Sequence, residues 1–161
     1  MPELTHIDSS GQVRMVDVGE KAPTRRTAVA EGRLRMEVAT LAAIQAGQVE
    51  KGEVLAVARI AAIEGVKRTA SLIPLCHPIP IDGVEVDIEA VETLPGLRVR
   101  VTVSAEWRTG VEMEAMTGVA IGLLALYDMC KALDRGMELG PVRLLEKHGG
   151  RSGSWTVSEH D

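Results

Sequence analysis

Asp128 and Lys131 stand three residues apart, a spacing that puts a carboxylate and an amine on one face of a helix. In isolation such a pair is an ordinary surface ion pair. Here it closes a segment, residues 109–131, that is nearly all apolar and carries its other ionisable groups, Glu112 and Glu114, at the opposite end. A lysine in a partly desolvated site loses its proton more readily and can act as acid or base. Glu112 and Glu114 alone read as acids favouring a helix N-terminus. Glu114 and Asp128 lie on similar sides of the helix, yet fourteen residues separate them by about 21 Å. If both ends serve chemistry, the site is shared between chains or there are two roles.

His77 is a second candidate. It sits in Pro74-Leu-Cys-His-Pro-Ile-Pro80, where three prolines exclude helix and central strand and stiffen the loop. Such a histidine suits a proton carrier or oxyanion donor, with a plain surface histidine as the alternative. Cys76 reads as packing rather than nucleophile, since no base is assured beside it. The cations Arg25, Arg26, Lys51, Lys67, Arg68, Lys147 and Arg151 are dispersed. Lys147-His-Gly-Gly-Arg-Ser-Gly153 resembles a flexible anion-holding loop, because glycine lets backbone amides approach a phosphate. It lacks the order of a P-loop. Zinc, EF-hand, dinucleotide and Ser–His–Asp patterns are absent from the sequence, so neither metal nor cofactor is expected.

The elements that must position these groups follow from periodicity. Residues 1–24 are polar and read as a loosely ordered arm touching down at Met15–Val18; residues 25–161 read as one domain. Alternation over 25–36 predicts a strand. Residues 37–46 predict a short helix with Val38, Leu41, Ala42 and Ile44 inward, ended by Gly47. A second helix over 53–71 is expected to bury Val54, Val57, Ile60, Ala61, Ile63 and Val66. The clearest hairpin folds about Thr93-Leu-Pro-Gly96, with Ala90 opposite Val99, Ile88 opposite Val101 and Glu89 facing Arg100. The long helix follows and ends near Gly136. A last strand over 138–147 precedes a glycine-rich tail. The order is βαββαβ: an α+β, ferredoxin-like fold, an antiparallel sheet with helices on one face.

Composition sets the function classes. A chain of 161 residues suits one domain with a real core, but two Trp, one Tyr and no Phe leave that core lean, and an interface between subunits would add burial. A net charge of −5 without a basic run disfavours nucleic acid, whose affinity rests on phosphate neutralisation. An RNA-recognition module shares the strand order but needs stacking aromatics that are missing. The long apolar stretch reads as too short and too interrupted to cross a bilayer. Two cysteines outside any ligand spacing suit reduced thiols in the cytoplasm. Residue types and spacing reach an α+β domain that binds an anion, leaving open an enzyme or a non-enzymatic ligand-binding module.

Ile73-Pro-Leu-Cys-His-Pro78, Thr109-Gly-Val-Glu-Met-Glu114, Tyr127-Asp-Met-Cys-Lys131 and Gly140-Pro-Val-Arg-Leu-Leu145, with the Gly-Gly-Arg-Ser-Gly close, together resemble the molybdenum cofactor biosynthesis protein C family, the cyclic pyranopterin monophosphate synthases. Leu4-Thr-His-Ile-Asp8 and Met15-Val-Asp-Val18 match as well. The resemblance implies a lyase that converts 3′,8-cyclo-7,8-dihydroguanosine 5′-triphosphate to cyclic pyranopterin monophosphate and diphosphate. It implies a homohexamer, a trimer of dimers with sites at the dimer interface. It also implies Lys51, Asp128 and Lys131 as the proton-transfer group. Leu75, Cys76, His77, Met113 and Glu114 would line the pocket, with Glu112 assisting. Arg26, Lys67 and Lys147 would hold the triphosphate. Ring opening and closure need several proton transfers, and loss of diphosphate needs cations on the leaving oxygens.

Overall fold

The computed structural model describes residues 6–158, so Leu4 and Thr5 of the opening motif lie outside the described residues. The elements are β1 (Thr24–Arg35), α1 (Val38–Gln45), α2 (Val54–Lys67), α3 (Thr69–Leu72), β2 (Gly83–Val91), β3 (Gly96–Trp107), α4 (Glu112–Cys130), β4 (Glu138–Leu139), β5 (Arg143–His148) and β6 (Trp155–Thr156). The sheet order β2-β3-β1-β5-β6, antiparallel throughout, is the ferredoxin-like arrangement with one short strand added at the edge. β1 lies at its centre. Ala28, Ala30, Gly32 and Leu34 point to the helices and are buried; Glu31 points to the other face and is held by Arg100 at 3.2 Å and Arg143 at 3.4 Å.

The hairpin differs from expectation by two residues. Ala90 pairs with Leu97, Ile88 with Val99 and Glu89 with Arg98. Gly96 is a strand residue, not a turn residue: it pairs with both Val91 and Arg35, and a Cβ there would come 2.2 Å from the Leu34 carbonyl oxygen. A slip of two leaves each side chain on its predicted face, because side chains alternate with a period of two.

The stripe on α2 differs more. Val54, Ala58, Ala62, Gly65 and Val66 are buried, whereas Val57, Ile60 and Ile63 are exposed in the subunit. α2 meets α4 through small residues. A Cβ on Gly118 would lie 2.7 Å from Val66 Cγ2, and one on Gly122 would lie 3.3 Å from Ala62 Cβ. Close approach of the helix axes requires small side chains at the contact, so Ala and Gly take the inner face and the larger residues turn outward. In α1 the inward residues are Thr40, Leu41 and Ile44, while Val38 and Ala42 face solvent. The Asp134 carboxylate accepts the Glu37 backbone N–H at 2.9 Å and the Thr40 hydroxyl at 3.5 Å, which sets that rotation.

α4 starts at Glu112, not Thr109, and its regular part ends at Cys130, short of Gly136. Its 19 residues and mean hydropathy of 1.3 do reach the length and apolarity of a membrane span, contrary to the sequence reading. It is instead a core helix, packed against α2 and the sheet with Ala115, Val119, Leu123 and Leu126 fully buried. The last predicted strand is two strands. Gly140-Pro141 divides β4 from β5, since proline has no N–H for the ladder. The tail is not wholly irregular either: β6 pairs with β5 through Lys147↔Trp155.

Candidate active site

A cavity of about 390 Å³ opens at the N-terminal end of α4. Leu75, Cys76 and His77 of the proline loop form one side, and Glu112, Met113 and Glu114 of the first helical turn form another. Thr109 and Gly110 line it because they stay outside the helix. The arm supplies the remaining wall with His6, Val16, Val18 and Lys21. The Glu112 carboxylate folds back over Gly110, 2.0 Å from where a Cβ on that residue would lie, so a side chain there would displace the Glu112 carboxylate.

The two acids have unlike environments. Glu112 accepts from the Lys147 ammonium at 2.6 Å, with both side chains about three-quarters covered. Glu114 is only 4% exposed and has no cationic partner among the described residues. Burial lifts its carboxyl from the usual 4.5 to about 7, and the Glu112 charge pushes the same way. It can therefore hold or release a proton near neutrality. Burial also raises the Cys76 thiol, with the Glu114 carboxylate adding to it, in keeping with a packing role.

At the opposite end of α4 a second cluster forms. Lys131 Nζ donates to Asp128 Oδ1 at 2.6 Å; Lys51 Nζ donates to the Asp128 carbonyl at 2.9 Å and to Oδ2 at 3.3 Å. The loop carrying Lys51 is planted by buried Val49 and turned by Gly52 at φ +97°. The two lysines hold the Asp128 carboxyl below its usual range, Lys131 most strongly. The expected desolvation of this pair is missing within one subunit: Asp128 is 59% exposed and Lys131 50%. None of the three lines the cavity at the other end of the helix.

The cations expected to hold phosphate are differently placed. Lys147 is engaged by Glu112. Arg26 donates to the carbonyls of Trp107 at 3.3 Å and Arg108 at 3.4 Å, and its guanidinium lies where a Cβ on Gly150 would be, 1.9 Å from Nη1. Lys67 pairs with Glu64 at 3.2 Å and lines a neighbouring cavity; Ile79 is the wall between that cavity and the first. The sequence reading named no role for His6, Lys21, Thr109 or Gly110. The opening and Met15–Val18 motifs were the available signal, but neither periodicity nor spacing shows what a polar arm packs against.

The order of motifs along the sequence, the ferredoxin-like sheet and the two clusters capping one buried helix are accompanied by a match to a family model over residues 15–150, most of the chain. The chain belongs to the MoaC family, enzymes of molybdenum cofactor biosynthesis.

Proposed function

We propose that the chain is a cyclic pyranopterin monophosphate synthase, a lyase that rebuilds 3′,8-cyclo-7,8-dihydroguanosine 5′-triphosphate into cyclic pyranopterin monophosphate with loss of diphosphate. The observation that carries this reading is the junction of Lys51, from a loop, with Asp128 and Lys131, 77 and 80 residues away in sequence, at 3.3 Å or less. A carboxylate between two amines can relay protons, and purine ring opening and pyranopterin closure require several such transfers. Closure of the cyclic phosphate forms a bond from a substrate hydroxyl to the α-phosphorus and breaks the bond to the β-phosphate oxygen. Arg26, Lys67 and Lys147 would stabilise the charge leaving on diphosphate.

The site is composite in this reading. Met113, Leu124 and Asp128 on α4 and Lys131 at its C-cap are exposed at spacings of eleven, four and three, which is one helix face. Two such faces packed antiparallel about a two-fold axis would cover Leu124 and set the Lys51–Asp128–Lys131 cluster of one subunit, net positive, beside the acidic cavity of the other. Three such dimers would form the hexamer of a cytoplasmic enzyme. Incubation of the purified protein with the cyclised nucleotide, following diphosphate and the pterin product, tests the reaction. Release of neither product by folded, assembled protein refutes it.

A further inference from the structure

Lys51 reaches Asp128 from a loop that packing alone does not fix. The loop, residues 46–53, joins α1 to α2, and of its residues only Val49 is buried. A cavity of about 390 Å³ lies against it, lined by Gly47, Val49 and Gly52 of the loop, by Ile44 of α1 and by Val54 of α2. The loop therefore has room to shift. Whether Lys51 meets Asp128 depends on how α1 and the end of α4 are held relative to one another.

One carboxylate holds both. Asp134 lies three residues beyond Lys131, in the turn by which the chain leaves α4. Its Oδ2 accepts the Glu37 backbone N–H at 2.9 Å and the Thr40 hydroxyl at 3.5 Å, and its Oδ1 accepts the Gly136 N–H at 3.0 Å. Glu37 is the N-cap residue of α1, and its own side chain makes no capping bond. Asp134 thus caps α1 from 97 residues away in sequence. Tyr127, on the last turn of α4, donates its hydroxyl to the Arg135 carbonyl at 3.0 Å and pins the same exit turn. A closed circuit results. The chain runs from Lys131 to Asp134, hydrogen bonds carry it to α1, the chain continues to Lys51, and the Lys51 ammonium returns to Asp128.

We propose that Asp134 is a positioning residue for the proton-relay cluster. It clamps the entry of α1 to the exit of α4 and so sets the reach of Lys51 to Asp128, an inference that rests on the function proposed above. Proton relay needs donor and acceptor within hydrogen-bond reach, so a shift of about 1 Å in the loop reduces turnover even where the fold persists.

The test uses the full chain and three variants. Asp134→Ala removes the acceptor, and Asp134→Asn keeps an oxygen for the Glu37 N–H. Glu37→Pro deletes the donated N–H and leaves Asp134 in place, at a φ of −67° that proline adopts. With the cyclised nucleotide, kcat should fall about tenfold or more in Asp134→Ala and Glu37→Pro, with KM within about twofold of wild type. Asp134→Asn should recover most of the loss. Trace acetylation of the folded proteins, read by mass spectrometry, reports on the amines without turnover. Lys51 should react about threefold faster or more in Asp134→Ala and Glu37→Pro, the scale of an exposed ion pair lost, while Lys67 keeps its rate. A clamp that serves folding alone would lower the denaturation midpoint and leave kcat and Lys51 reactivity of the folded variants unchanged, which overturns the inference. A loss of kcat without a change at Lys51, or a loss in Asp134→Ala that Glu37→Pro does not share, overturns it as well. Where Asp134→Ala fails to fold, Glu37→Pro decides alone. A wild type without turnover whose Lys51 reactivity still depends on the clamp refutes the reaction and leaves the positioning role standing. A wild type that turns over beside variants of normal kcat and Lys51 reactivity does the reverse.

Discussion

The Lys147 ammonium lies 2.6 Å from the Glu112 carboxylate, so a cation expected on the substrate's phosphates is neutralising an acid at the mouth of the cavity. Glu112→Gln should therefore tighten binding of inorganic triphosphate severalfold, by freeing Lys147 and deleting a repulsive charge. Lys147→Ala should weaken it. A double-mutant cycle on stability should show a coupling of about 1 kcal/mol, the scale of a partly exposed pair. Triphosphate affinity unaltered by Glu112→Gln would show that Lys147 faces the phosphates in spite of this pairing.

Lys131→Ala should abolish proton transfer without unfolding the chain. The side chain is half-exposed in the subunit and contributes to an ion pair open to solvent, so stability should move by no more than about 0.5 kcal/mol. Turnover should fall about a hundredfold or more if the amine carries an essential proton. Near-normal turnover by folded Lys131→Ala would remove it from the mechanism.

Glu114 links folding to pH with a definite sign. Its folded value near 7 lies above the usual 4.5 because burial penalises the charge. Between those values the folded chain keeps a proton that the unfolded chain has released, so stability falls as pH rises through this window and levels off above 7. The full effect approaches about 3 kcal/mol. Glu114→Gln should remove this slope and be more stable than wild type at pH 8, read as denaturation midpoints at pH 5 and pH 8 without substrate. Parallel pH curves for the two proteins would mean that Glu114 is ionised throughout.

Gly32 is the point where β1 passes beneath α4. A Cβ there would lie 2.7 Å from Val119 Cγ1, 2.8 Å from Leu123 Cδ1 and 3.0 Å from Val142 Cγ2. These neighbours press from α4 and from the segment before β5, so Gly32→Ala should destabilise by about 1–3 kcal/mol. A denaturation midpoint equal to wild type would show that the core relaxes around the methyl.

Much of this fold was legible in the sequence where a local pattern has one physical solution. The alternation in residues 84–91 and 97–105 can serve only a two-faced strand, and even with the hairpin slipped by two the faces stayed as expected. Of the α2 stripe, the two ends, Val54 and Val66, were legible and the middle was not. Hydrophobicity ranks Ile60 and Ile63 above Ala58 and Ala62, but the inner face went to the residues that let two helices approach. That choice depends on the partner helix. The Lys51–Asp128–Lys131 cluster needed both the resemblance and the fold, because nothing local to Lys51 points to α4. The arm was expected to touch down at Met15–Val18, and Val16 and Val18 do, but that this contact walls a cavity depended on the fold.

The last prediction concerns the two ends of α4. Within one chain the helix is continuous from Glu112 to Cys130, so Glu114 and Asp128 stay about 21 Å apart and the cavity lacks the lysine cluster. A small substrate cannot bridge them. In the composite reading, an antiparallel pairing across the Met113–Leu124–Asp128 face would supply the missing half from a second subunit, and would do so twice per dimer. Mixing inactive Lys131→Ala subunits with inactive Glu114→Ala subunits should then restore activity, since a mixed dimer carries one site with both defects and one with neither. At full exchange of equal amounts, half the dimers are mixed and each holds one intact site of two, so recovery should approach about one quarter of the wild-type rate. Subunit exchange verified by mass, with activity remaining at the level of the separate variants, would place each site within a single chain.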